Sequence, residues 1–349
     1  MSRKPTSSKS NSTPTINDVA SLAGVSKKTV SRFINNSPLM SEATREKVST
    51  AIRELDYVPN PQARALALRR NFMIALLHDN PNAKTVVNFQ KGVLSAIRDT
   101  ELALAVRPVN RDSPDLLSDV ESFLTKQRPL GVLILAPISE RDDLVDLCKR
   151  LEINYIRIGS TQLDIAKHCV ASNDREIVCD MVTALIRMGH NRIGFVRGPE
   201  GFRSALEREA GFQDALAAAG MKADPAMMMK GNYRFESGLL AGRQLLAQAI
   251  RPTAVFVSND EMAAGVLNVA HELGIRVPDE LELLGFDNTG TAAHVWPPLT
   301  TVHWPIEEMG RLAALKLVPG FVGIEFKDVD LDAVIVPSHI VERGSARLG

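Results

Sequence analysis

Residues Thr15 to Asn35 read TINDVASLAGVSKKTVSRFIN, and this stretch decides the N-terminal fold. Thr15 and Asp18 stand three apart, the spacing of a capping pair at a helix start. Val19, Ala20, Leu22 and Ala23 supply an apolar face at helical spacing. Gly24 then permits a positive φ without a Cβ penalty. Val25 fills the corner, and Ser26 is suited to N-cap a second helix. On that helix Val30, Phe33 and Ile34 share one side, leaving Lys27, Lys28, Thr29, Ser31 and Arg32 outward with no acid among them. Ser41 announces a third helix, whose Val48, Ile52 and Leu55 complete a small core. Two short helices about a glycine turn, the second basic outside, form a helix-turn-helix pattern able to enter the major groove of DNA.

Charge distribution agrees with that pattern. Residues 1–70 hold 12 Lys and Arg against 5 Asp and Glu, so the head carries +7. The 349-residue chain sums to zero, so residues 71–349 carry −7. A basic module on an acidic body is the electrostatic mark of a nucleic-acid binder. The three cysteines, Cys148, Cys169 and Cys179, lack C-x-x-C spacing and fit a reducing cytosol better than a zinc site. No apolar run reaches membrane-spanning length, and the polar residues 1–14, expected to be disordered, lack a signal-peptide core. The expected location is therefore cytoplasmic, at the nucleoid, and the expected cofactor and metal content is nil. Neither a G-x-x-x-x-G-K-[ST] loop nor a G-x-G-x-x-G after a strand is present, which disfavours a kinase or dehydrogenase.

Beyond residue 70 short apolar strands alternate with helical segments. Strands are expected at 74–77, 102–106, 131–135, 155–158, 192–196, 254–257 and 281–286, with helices over 88–99, 176–188 and 205–219 among them. Such alternation implies doubly wound parallel sheets with helices on both faces, here in two lobes. Ligands in such sheets bind beyond the carboxyl ends of the strands. That rule points to His78 and Asp79, to Ser258, Asn259 and Asp260, and to Asp287.

The stretch 15–35, with SEATREKV at 41–48 and LDYVPN at 55–60, closely resembles the lactose/galactose/purine repressor family. MGHNRIG at 188–194, VSNDEMA at 257–263, LGFD at 284–287 and PLTT at 298–301 extend the resemblance over nearly all of residues 15–340. It implies a tail over 1–14, a helix-turn-helix domain over 15–59, a hinge helix over 60–70 and a periplasmic-binding-protein-like effector and dimerisation core over 71–349. The N-lobe is expected at about 71–160 and 293–322 and the C-lobe at about 161–292 and 323–345. The implied activity is that of a repressor, a homodimer on a pseudo-palindromic double-stranded operator, released or tightened by a small molecule. A sugar sensor of periplasmic type without a DNA role is the alternative, disfavoured by residues 15–70.

The resemblance also distributes roles. Lys27 and Lys28 stand where the family reads base edges, with Arg32 a further base or phosphate contact, while Thr15, Ser26, Thr29, Ser31 and Asn35 are expected at phosphates. In the hinge, Leu66 is the implied minor-groove wedge, Ala63 the helix contact and Arg64 a wall or phosphate contact; a plain linker is the competing interpretation. For the effector, the implied set is Arg208, Ser204, Tyr233, Asn259 and Asp287, with Asp79 and Phe89 at the edge. This set suits a mono- or disaccharide, whose hydroxyls donate and accept together. Asn259 and Asp287 could instead cap helices, Arg208 could pair with Glu207 or Glu209 at the surface, and both tryptophans are expected to pack. Leu66→Ala is expected to weaken operator binding while the effector response is retained; unchanged affinity in a gel-shift titration excludes the wedge.

Overall fold

A computed structural model describes residues 14–34, 40–58, 71–318 and 330–348. The hinge positions Ala63, Arg64 and Leu66, and Asn35 after the second helix, lie outside the described residues. Two compact units are present, residues 1–71 and 72–349.

The head holds helices α1 (Ile16–Ala23), α2 (Lys27–Ile34) and α3 (Glu42–Glu54). Asp18 accepts from the Thr15 N–H at 2.8 Å and from its hydroxyl at 2.7 Å, closing the start of α1. These bonds also hold the Asp18 carboxyl below its ordinary pKa. Gly24 ends α1 at φ 64°, left-handed backbone that glycine adopts without strain. The Ser26 hydroxyl accepts from the Thr29 N–H at 3.1 Å and so caps α2. Val19, Ala20, Val30, Val48 and Ala51 meet at the centre, with Phe33, Ile34, Ile52 and Leu55 packed around them.

The second unit begins β1 (Met73–His78), α4 (Ala83–Ile97), β2 (Ala103–Pro108), α5 (Leu116–Gln127), β3 (Gly131–Leu135), α6 (Asp142–Arg150), β4 (Asn154–Gly159) and β5 (Cys169–Ser172). It continues α7 (Asp174–Arg187), β6 (Ile193–Val196), α8 (Arg203–Ala218), β7 (Met228–Met229), α9 (Phe235–Leu246), β8 (Ala254–Val257), α10 (Asp260–Glu272), β9 (Glu282–Asp287), α11 (Gly290–His294) and β10 (Thr300–His303). Helix α12 (Ile306–Leu317) and strands β11 (Ile335–Val336) and β12 (His339–Val341) complete it.

Two sheets result, ordered β11-β5-β4-β3-β1-β2 and β12-β10-β9-β8-β6-β7. Among the described residues every pairing is parallel except β10 with β12. Successive side chains of the central strands enter opposite cores. Ile74, Leu76, Leu133 and Leu135 join Phe89 of α4 and Met309 of α12, while Ala75, Leu77, Val132 and Ile134 join Leu116, Val120 and Leu144. Burial on both faces explains the unbroken apolar runs.

Among the described residues the chain passes between the lobes at Asn173, at Trp304–Pro305 and at Pro337–Ser338. The lobe bounds expected from the sequence placed these passages near 160, 293 and 322. Each lies further on because a short strand first completes a sheet: β5 pairs with β4, β10 with β9, and β11 with β5. β10 thus belongs to the second lobe and β5 to the first.

Helices α4 and α12 approach backbone to backbone through two glycines. A Cβ on Gly92 would lie 1.8 Å from the Glu307 carbonyl oxygen, and one on Gly310 2.4 Å from that of Phe89. Gly92→Ala should therefore force the helices apart at a cost of about 1–3 kcal/mol, read as a lower thermal midpoint. An unchanged midpoint would show that the pair separates freely.

Candidate functional site

On the head, α2 leaves Lys27, Lys28 and Arg32 exposed and Thr29 and Ser31 half-buried. No acid stands on α2, so the face is a compact cationic strip. The Ser26 and Thr29 hydroxyls are 2.8 Å apart and the Thr15 hydroxyl is engaged with Asp18, so these groups already serve the helix starts.

In the second unit, loops following the strands line a pocket between the lobes. Asn80, Pro81, Asn82 and Thr85 follow β1, Ala136 and Pro137 follow β3, and Ser160 follows β4. From the second lobe come Phe202, Ser204 and Arg208 around α8, Tyr233 before α9, Asn259 after β8 and Asp287 at the end of β9. Trp304, just past β10, closes the floor at a passage between the lobes. The two sheets thus meet at the strand ends where side-chain and backbone groups can converge on one molecule.

Arg208 is only 3% exposed. Its Nε donates to Asp174 Oδ2 at 2.9 Å and its Nη1 to the Ser258 carbonyl at 2.5 Å. Nη2 lies 3.9 Å from Asp287 Oδ1, and the guanidinium covers the Phe286 ring at 3.5 Å. Burial works against the charge, but the carboxylates of Asp174 and Asp287 outweigh it and hold the Arg208 pKa above the ordinary arginine value. Arg208 is therefore no partner of Glu207 or Glu209; its helix face turns inward.

Burial pushes the Asp287 carboxyl well above the usual carboxylate range, against the pull of Arg208 and with the help of neighbouring Asp260 and Asp174. Asp260 is itself raised to about 6, chiefly by burial, although Thr301 and Thr289 donate to it. Asp287 at φ 106° and Tyr233 at φ 65° hold left-handed backbone, a strain retained where surrounding contacts over-determine the site.

Asn259 proves to be a helix cap as well as a pocket wall. Its Oδ1 accepts from the Met262 N–H at 3.0 Å, and its Nδ2 donates to the Tyr233 carbonyl at 3.0 Å. That second bond seats Tyr233, whose hydroxyl is 3.0 Å from the Ser204 hydroxyl.

Two expected edge residues do not reach the pocket. Asp79 Oδ2 accepts from the Arg111 N–H at 2.8 Å and serves the neighbouring turn, while the next residues form the rim. Phe89 is 0% exposed, because its position on α4 faces Gly310 and the core. Trp304 lines the pocket instead of merely packing, and Trp296 is 80% exposed. His190 binds Thr253 through Nδ1 at 2.8 Å, a structural role.

Sequence reasoning missed Asn80, Asn82, Ser160 and Phe202. The strand-end rule that found Asp287 applies equally after β1 and β4 and would have found the first three. Phe202 has no such signal. Ser160 Oγ and Asn82 Nδ2 are buried with no hydrogen-bond partner among the described residues, the condition of groups that receive a ligand.

Residues 15–60 match the family described as bacterial regulatory proteins, lacI family, and residues 182–346 match a periplasmic binding protein-like domain. The chain is 34% identical to the HTH-type transcriptional regulator CelR of Thermobifida fusca over 95% of this chain and 98% of that one. It is 30% identical to the ribose operon repressor of Escherichia coli (strain K12), over 95% and 99%. Among solved structures, the transcriptional regulator CelR–cellobiose complex superposes with a TM-score of 0.69 at 32% identity, covering 95% of this chain and 100% of that one. The lac repressor dimer bound to operator and the anti-inducer ONPF gives 0.76 at 26%, covering 96% and 99%. The basic helix-turn-helix head and the two-lobed ligand pocket thus occur here in the order found in those relatives, and the chain belongs to the LacI family of bacterial transcriptional regulators.

Proposed function

We propose that the protein is a cytoplasmic, nucleoid-associated repressor that binds a pseudo-palindromic operator as a homodimer and is controlled by a mono- or disaccharide, with no catalytic role. The observation that carries this reading is the pairing, in one chain, of an acid-free basic α2 with a pocket whose walls alternate donors and acceptors around aromatic surface. Each protomer would lay α2 in one half-site. Lys27 and Lys28 would read guanine edges, and Arg32, Thr15, Ser26, Thr29, Ser31 and Asn35 would fix register on phosphates. The hinge residues Ala63, Arg64 and Leu66 keep the roles that the family suggests.

Dimer formation is supported by α4, where Val87 and Leu94, both 49% exposed, stand seven residues apart on one face. The location is supported by family membership; no helix among the described residues is long and apolar enough to cross a membrane. In the pocket, Arg208, Asn82, Ser160, Ser204 and Asn259 would meet ligand hydroxyls, Asp287 would accept from them, and Tyr233 with Trp304 would offer flat apolar surface. A sugar that fits one angle between the lobes better than another shifts the operator equilibrium by that difference in affinity. The partners in the relatives' complexes, cellobiose for CelR and operator for the lac repressor dimer, support both halves of the proposal.

Lys27→Ala and Lys28→Ala should each cost about 1–3 kcal/mol of operator binding. Fluorescence anisotropy should show a smaller loss on random duplex, and equal losses on both would reduce these lysines to phosphate contacts. Ser160→Ala should leave thermal stability intact, since the hydroxyl has no partner to lose, yet weaken the effector by about 1 kcal/mol. Unaltered effector affinity in calorimetry would remove Ser160 from the site.

A further inference from the structure

We propose that the pocket selects uncharged polyhydroxylated ligands over sugars bearing a carboxylate or phosphate, and that Asp174 sets this selection. The proposal rests on the pocket being a sugar site, and it assigns a role to a residue that does not line it.

An arginine in a sugar pocket is the natural receptor for an anionic substituent, because its planar fork pairs with carboxylate and phosphate oxygens. In this protein that capacity is already used. Asp174 is fully buried and receives Arg208 Nε at 2.9 Å. Its other oxygen, Oδ1, accepts from the Ser172 hydroxyl at 2.5 Å, and Ser172 Oγ in turn accepts from Trp304 Nε1 at 2.8 Å. The carboxylate is therefore fixed from behind, at the start of α7, where a ligand cannot displace it. Asp287 supplies a second carboxyl on the pocket side, 3.9 Å from Nη2.

The charge of the cluster follows. With Asp287 ionised the three groups sum to minus one, and with Asp287 protonated they sum to zero. In neither state is a positive charge left for an anion, which would be desolvated without compensation. Neutral hydroxyls face no such barrier. After the bonds to Asp174 and Ser258, Nη1 and Nη2 keep N–H donors for hydroxyl oxygens. Asn82 Nδ2 and Ser160 Oγ, on the opposite wall, are uncharged dipoles.

Other cations near the cleft are also engaged. Lys84 Nζ is 3.7 Å from Glu261 and donates to Thr291 at 3.1 Å. Arg111 lies over the Phe202 ring at 4.9 Å, within electrostatic reach of the half-buried Glu140. Neither lines the pocket. Arg111 Nη1 has no hydrogen-bond partner among the described residues, so this arginine offers an anion a route around Asp174.

The test is calorimetric titration of the full chain with matched pairs: glucose with glucuronate and glucose 6-phosphate, galactose with galacturonate, and cellobiose with its aldobiouronic acid. In the wild type, at least one neutral sugar should bind, and its anionic counterparts should bind at least 100-fold more weakly. Asp174→Asn keeps the shape and removes the fixed charge; it should improve the anionic-to-neutral ratio at least tenfold. A wild-type ratio near one overturns the proposal while the sugar-sensor reading stands. So does an Asp174→Asn protein that binds sugar with an unaltered ratio. If Asp174→Asn does not fold, the wild-type ratio decides alone, with Arg111→Ala showing whether any anion binding runs through that side chain. Binding of neither class in any pair would instead sink the sugar-sensor reading, and this proposal with it.

Discussion

A guanidinium buried between two carboxylates is the interaction on which the sensing body depends. Arg208 is drawn into the interior by α8, and there it must be satisfied from several directions at once. Asp174 from α7, the Ser258 carbonyl after β8 and Asp287 at the end of β9 provide that, while the Phe286 ring covers one face. Removing one partner of such a pair typically costs about 3–5 kcal/mol, because the other charge is left stranded. The same contacts fix the direction of the remaining N–H groups, so the cluster that stabilises the lobe also shapes the ligand site.

The cluster reaches the passages between the lobes through ordinary hydrogen bonds. Asp174 holds Ser172, Ser172 receives Trp304, and Asn173 Oδ1 accepts from the Ser338 N–H at 2.8 Å. Residues at all three passages are thereby connected to one another or to their neighbours in sequence. A ligand touching Arg208 and Trp304 acts on the groups that set the angle between the lobes, with no long relay required.

Much of this was legible in the sequence, for identifiable reasons. The head could be read because each signal was local: a capping pair at Thr15 and Asp18, a glycine at the turn, Ser26 as a cap. The central strands declared themselves because burial on both faces leaves apolar runs such as 131–135. Asp287 and Asn259 were found because polar residues at strand ends point to ligands. Short edge strands were harder. The four residues of β5 and the two of β11 carry little apolar pattern, and missing them displaced the expected passages. Phe89 and Asp79 were misplaced because the direction of a side chain depends on packing against α12 and on the turn at Arg111, which are tertiary facts. Asp174 escaped notice because its importance lies in a partner 34 residues away.

The three covalent passages among the described residues have a mechanical consequence. A single strap would let the lobes twist, shear and drift; three straps crossing side by side suppress sliding and leave bending as the soft motion. The third strap leads directly into β12, and beyond that strand the Ser345 hydroxyl donates to the Leu283 carbonyl and accepts from the Thr300 N–H, tying the segment to β9 and β10. Trimming the carboxyl-terminal dozen residues would therefore do more than shorten a tail. It would strip the second sheet of an edge and convert a stiff one-axis joint into a loose one.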